Sequence, residues 1–174
     1  MDNRYIIRIN DVIEYKKEIF FRIKDKINLE NTLLSREGIS FDFNLEGRAT
    51  PIGSDVLIEI DLDGIVSGIC SKCACDASVN MKARSETVAS RNVNKYESED
   101  FLLIKGTEVN IYQLVVETIL LFLPITLVCN PGCRGLCPVC GVNLNKEICK
   151  CGNNTIKKGF NLIARKLQLK NGGD

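Results

Sequence analysis

The chain has 174 residues, with 23 basic and 22 acidic side chains for a formal charge of +1, nine cysteines and no histidine. A hydrophobic content of 45% over this length supports one domain with a real core and excludes disorder as a global description. The missing histidine excludes Ser/His/Asp triads, Cys/His nucleophile pairs, histidine-containing zinc fingers and HExxH metalloproteases, so an enzyme would have to work through carboxylates or a metal-bound water.

Positions 1–17 carry no basic region followed by an apolar run and a small-residue cleavage site, which predicts a cytoplasmic chain with reduced thiols. Positions 5–9 alternate apolar and polar residues and predict an opening strand. Positions 19–29 predict a second, with Arg22, Lys24 and Lys26 on one face and Phe21, Ile23 and Ile27 on the other. From position 39 the period of two strengthens through FDFNLEG, VLIEIDLDGIVSGIC and ASVNMKARSETVA, with turns at 51–54 and 73–76. A long antiparallel meander is the expected result, with Gly64 and Gly68 at bulges or bends. Positions 91–100 are polar and predict an exposed loop.

Ile111, Leu114, Val115, Thr118, Ile119 and Phe122 then recur at helical spacing. Asn110 with Gln113 three residues on predicts a capping box. Pro124 ends the helix, because its ring removes a backbone donor and disfavours helix in the residue before it. Positions 114–129 are the most apolar stretch, but they hold Glu117 and Pro124 and are too short for a bilayer core of roughly 30 Å, so no membrane span is expected.

After Val128 the composition changes abruptly, with six cysteines in the 23 residues from Cys129 to Cys151 and almost no large apolar side chains. CPVCG at 137–141 has the form of a zinc knuckle: two thiolates two residues apart point at one metal from a tight turn, and the following glycine tolerates a positive φ. Cys149 and Cys151, two apart, share a face if extended, which gives a four-thiolate zinc site of Cys137, Cys140, Cys149 and Cys151. Cys70, Cys73, Cys129 and Cys133 predict a second site, leaving Cys75 over. Spacing alone leaves open an exchange of Cys75 into the first pair or of Cys133 with Cys137, and iron–sulfur ligation and a redox switch are the rival chemistries. A zinc deaminase does not fit, since proline follows the first cysteine of the CPVC run and no Cys-x-Glu occurs.

The helical pattern resumes at Phe160, Ile163 and Leu167. Charge is lopsided: residues 1–123 sum to −5 and residues 124–174 to +6. That asymmetry points to a polyanionic partner at the C-terminal end, with a solvated basic helix face as the plain alternative. The expected architecture is α+β: an antiparallel β-sheet or partly open barrel with one or two packed helices and a C-terminal zinc-binding module. The expected divisions are a β-rich domain at 1–123, the zinc module at 124–152 and a basic helix and tail at 153–174.

The order DGIVSGICSKC, NIYQLVVETILLFLP and CNPGCRGLCPVCGVNLNKEICKC resembles the YceD family of large ribosomal RNA subunit accumulation proteins. The resemblance implies a cytoplasmic factor needed for accumulation of 23S ribosomal RNA, with the family's paired cysteines on Cys70 and Cys73 and its cluster on Cys129, Cys133, Cys137, Cys140, Cys149 and Cys151. Lys72 stands where the family often has arginine, and Cys75 is extra. The function expected is therefore a non-catalytic zinc-binding factor that binds ribosomal RNA or a large-subunit precursor. Arg134, Lys146, Lys150, Lys157 and Lys158 are the expected phosphate contacts. The alternative is an adaptor whose acidic sheet face recruits a ribosomal protein or processing enzyme. A hydrolase built on Asp61 and Asp63 is the third possibility, against which those aspartates read as one solvated strand face.

Overall fold

The computed structural model describes residues 3–29, 38–92 and 101–151. Seven strands form one mixed sheet: β1 (Ile6–Arg8), β2 (Ile19–Asn28), β3 (Ser40–Ile52), β4 (Asp55–Ile69), β5 (Asp76–Ser90), β6 (Phe101–Lys105) and β7 (Glu108–Asn110). Their order is β1-β7-β6-β5-β4-β3-β2. A short helix α1 (Asn10–Glu14) links β1 to β2, and α2 (Tyr112–Phe122) follows β7 and packs on β5.

The long strands form because their apolar residues recur every second position and share one face. Phe41, Phe43, Leu45 and Ala49 of β3 are buried, as are Val56, Ile58, Ile60, Leu62 and Val66 of β4. The Gly53 turn, at φ +63, joins them with Ile52 opposite Asp55. Between these inward positions lie Glu46, Glu59, Asp61 and Asp63, which face outward and are tied in cross-strand ion pairs. Arg22 meets Glu46 at 3.0 Å, Lys82 meets Asp63 at 2.8 Å and Arg84 meets Asp61 at 3.9 Å. Arg48 and Arg84 both hold Glu59, at 2.8 and 3.0 Å. Burial pushes the Glu59 pKa up, but the two guanidiniums overrule it and keep the carboxyl below its ordinary value.

The two ends of the sheet meet. Tyr5, 1% exposed beside β1, donates its hydroxyl to Asp25 of β2 at 2.6 Å, and Arg4 pairs with the same carboxylate. Burial first, and then the Asp25 carboxylate, raise the Tyr5 pKa, so the phenol remains a donor at any working pH. Tyr5→Phe removes this hydrogen bond to a charged acceptor and is expected to cost about 1.5–3 kcal/mol in a denaturant titration.

The expected antiparallel meander runs from β2 through β5, and β6 then adds to β5 in parallel, Val88 facing Phe101. Two expectations are corrected. Gly64 is no bulge: it pairs one-to-one with Phe43 and Met81, and an added Cβ would lie 2.2 Å from the Asp42 carbonyl oxygen, so glycine is there for close backbone approach. No capping box forms. Asn110 accepts from the Tyr112 N–H at 2.9 Å, while the Gln113 side chain turns forward to Glu117. The helix buries Leu114, Val115, Thr118 and Ile119, leaving Phe122 45% exposed. Most of the 91–100 loop and the whole helical pattern around Phe160 lie outside the described residues. No helix among those described is long and apolar enough to cross a membrane.

Candidate metal centres

β4 ends at Ile69 and β5 begins at Asp76, and the six residues between them form a knuckle. Its closure is a pair of backbone hydrogen bonds, Cys70 N–H to the Cys75 carbonyl at 2.7 Å and Ala74 N–H to the Cys70 carbonyl at 3.0 Å, with Ala74 in the left-handed region at φ +54. The same device recurs after the helix. Cys137 N–H bonds the Val142 carbonyl at 2.8 Å, Gly141 N–H bonds the Cys137 carbonyl at 2.9 Å, and Gly141 has φ +73. Both are C-x-x-C runs followed by a left-handed residue, a turn that gives both thiols the same side.

The structure gathers eight cysteines into two groups of four, and within each group the sulfurs all lie within 4.8 Å of one another. Cys70, Cys73, Cys129 and Cys133 form the first, with Cys70 to Cys133 at 3.9 Å and Cys73 to Cys129 at 3.6 Å. Cys137, Cys140, Cys149 and Cys151 form the second, with Cys149 at 3.2 Å from Cys137 and 3.7 Å from Cys140. Four sulfurs around a metal at about 2.3 Å would be separated by about 3.8 Å, so both groups are sized for a tetrahedral thiolate centre. They are far longer than a disulfide bond, and none forms. The first group is walled by the hydrophobic core, with Cys70, Cys73 and Cys133 buried; in the second Cys140 is exposed. Cys75 joins neither group.

Electrostatics favours a cation in both. The Cys70 thiol is drawn down to about 6, chiefly by the Cys129 backbone amide and, against burial, by the amides of Lys72 and Cys73. Cys73 goes the other way, to about 12: the Cys75 amide favours its thiolate, but burial and the sulfurs of Cys70, Cys129 and Cys133 outweigh it. Cys137 falls to about 6 through the amides of Cys140 and Val139, and Cys151 rises to about 12 beside the sulfurs of Cys140 and Cys149. Packed thiols that ionise unequally cannot all be anions unless a positive charge sits among them. A divalent metal would supply that charge, and four protein sulfurs would leave it no open position for substrate.

Sequence reasoning missed the asparagines. Asn130 donates to Cys129 Sγ at 3.4 Å, Asn145 to Cys133 Sγ at 3.4 Å and Asn143 to Cys75 Sγ at 3.2 Å. The N-L-N run directly after the second knuckle was the available signal. Of the basic residues, Arg134, Lys146 and Lys150 are exposed around the second group and form no salt bridge among the described residues. Lys157 and Lys158 lie outside the described residues. Lys72 joins the set: it is exposed at the tip of the first knuckle, its carbonyl accepts the Leu136 N–H at 2.9 Å, and Gly135, beside Arg134, packs on it.

Residues 58–165 match the family model described as "Large ribosomal RNA subunit accumulation protein YceD". Among curated proteins, the chain is 38% identical over 53 residues to the large ribosomal RNA subunit accumulation protein YCED homolog 1, chloroplastic, of Arabidopsis thaliana, covering 30% of the chain and 16% of that protein. It is 27% identical over 115 residues to an uncharacterized protein of Mycobacterium tuberculosis, covering 64% of the chain and 55% of that protein. The chain thus matches less than two thirds of the length of either relative. No solved structure matches it.

Proposed function

Because the chain belongs to the YceD family of large ribosomal RNA subunit accumulation proteins, we propose that it is a non-catalytic zinc-stabilised factor that binds ribosomal RNA or a large-subunit precursor. In this reading one zinc on Cys70, Cys73, Cys129 and Cys133 fastens the segment after α2 to the end of the sheet, and another on Cys137, Cys140, Cys149 and Cys151 shapes its tip. Zinc needs no redox partner and favours tetrahedral sulfur. Such thiolate sites persist in a reducing compartment, and the reading places the chain in the cytoplasm.

The observation that carries the RNA reading is the company of cations without a salt-bridge partner among the described residues, Lys72, Arg134, Lys146 and Lys150, around the two sulfur groups. The acidic sheet face is different: Glu46, Glu59, Asp61 and Asp63 each already hold an arginine or lysine, which weakens the adaptor and hydrolase readings. Eight thiolates and two zinc ions would move the formal charge from +1 to about −3, so attraction to phosphate must be local and easily screened.

The test is a binding titration of large-subunit ribosomal RNA fragments against salt. The wild-type chain should lose affinity linearly in log–log form. Arg134→Ala combined with Lys146→Ala should flatten the slope by roughly 0.7–0.9 for each phosphate no longer neutralised, while leaving sequence preference unchanged. No affinity at low salt would reject direct RNA binding. Partners that survive ribonuclease in a pull-down would then favour the adaptor.

A further inference from the structure

The 143–145 segment lies between the two cysteine pairs of the second group, yet Asn145 reaches a sulfur of the first and Asn143 the knuckle that carries Cys70 and Cys73. Asn145 donates through Nδ2 to Cys133 Sγ, a sulfur of the first group, at 3.4 Å. Its orientation is fixed from the other end, because Oδ1 accepts the Arg134 N–H at 2.8 Å. Asn143 donates to Cys75 Sγ at 3.2 Å and to the Cys73 carbonyl at 3.5 Å, and its own Oδ1 accepts from both the backbone and the amide nitrogen of Asn145 at 2.9 Å. The main chain runs the same way: Leu144 N–H bonds the Gly135 carbonyl at 2.9 Å, and Leu136 pairs with Asn143 as an isolated bridge.

We infer that Asn143 and Asn145 are positioning residues that couple the two sulfur groups, so that a metal ion in the second raises the affinity of the first and the reverse. The inference rests on the metal reading above. Its physics is an ordering cost. With the second group empty, residues 141–148 are held only by the hydrogen bonds above, and ordering each residue costs roughly 1–2 kcal/mol in conformational freedom. A metal bound between Cys140 and Cys149 meets that cost once, and the two amides are then already presented to Cys133 and Cys75. The bond from Asn145 to Cys133 is one to a ligand sulfur, and such bonds typically change affinity by roughly 10–100-fold, while Asn143 holds Asn145 and the first knuckle in place. Linkage makes the coupling reciprocal.

The experiment uses the full chain, titrated with zinc and with cobalt(II) against a competing chelator, the cobalt–thiolate charge-transfer band reporting occupancy. Cys149→Ser with Cys151→Ser should leave one ion, held by the first group about 10–100-fold more weakly than that group holds it in the wild-type chain. Asn145→Ala removes the donor to Cys133 without adding a charge beside its sulfur, and it should weaken the first site by a similar factor while both ions still bind. Combining the three substitutions should be no worse than the cysteine pair alone, because the effects share one route. Far-UV circular dichroism checks that the sheet survives in each. Unchanged first-site affinity in the cysteine variant or in Asn145→Ala, or penalties that multiply, would overturn the coupling and leave the metal reading standing. A wild-type chain that takes up neither ion would overturn both.

Discussion

Cys70→Ser is expected to drop the metal content below two ions per chain and to release the 127–151 segment from the end of the sheet. Cys70 is 2% exposed, closes the first knuckle through its own N–H and carbonyl, and lies 3.9 Å from Cys133. Serine keeps the size but offers a hydroxyl that neither ionises at neutral pH nor matches the softness of thiolate. Structural zinc in small modules contributes an apparent 10–16 kcal/mol or so, comparable with the whole stability of about 5–15 kcal/mol of an ordinary domain. Among the described residues beyond Leu127 there is little apolar burial to replace it, apart from Cys133 and Cys137 themselves. The sheet has its own core in Phe41, Phe43, Ile58, Ile60 and Leu62 and should persist, so the variant should show strand-type circular dichroism together with new protease sensitivity after α2. Cys75→Ser is the control. Its sulfur belongs to neither group, and metal content should not change.

Gly64→Ala should be the most damaging single-methyl addition in the sheet, destabilising by about 3 kcal/mol or more in urea unfolding. The new Cβ would fall 2.2 Å from the Asp42 carbonyl oxygen and 2.7 Å from Phe43 Cα, and backbone held by β3–β4 pairing cannot step aside. Gly47→Ala makes the contrast. The three atoms nearest its Cβ would all belong to the Phe21 ring, the closest at 2.1 Å, and a ring on β2 can rotate away. It should cost distinctly less than Gly64→Ala. Equal costs would mean that the paired backbone yields as readily as a side chain.

Local pattern made much of this legible. The alternation of Phe41, Phe43 and Leu45 with Asp42, Asn44 and Glu46 announces a half-buried strand because strand geometry sends successive side chains to opposite faces. The CPVCG run announces its knuckle for an equally local reason. What stayed hidden depends on chain path. Strands β6 and β7 are five and three residues long, too short to display a period, and the parallel pairing of β6 with β5 is a tertiary choice. Asn110 does not cap the helix: its side chain closes a turn on the Tyr112 N–H, and Ile111 stands at the cap position. Asn143 and Asn145 look like ordinary turn residues until the fold sets them against sulfurs 68 and 12 positions away in the chain.

In the proposed reading zinc on Cys70, Cys73, Cys129 and Cys133 holds the C-terminal cysteine segment on the sheet and a second zinc shapes its tip. Elemental analysis of the full chain, expressed without added metal and recorded with its visible spectrum, decides it. Two zinc ions per chain and a colourless protein are expected. Brown protein carrying iron and sulfide, or a folded chain with no metal, would contradict the reading.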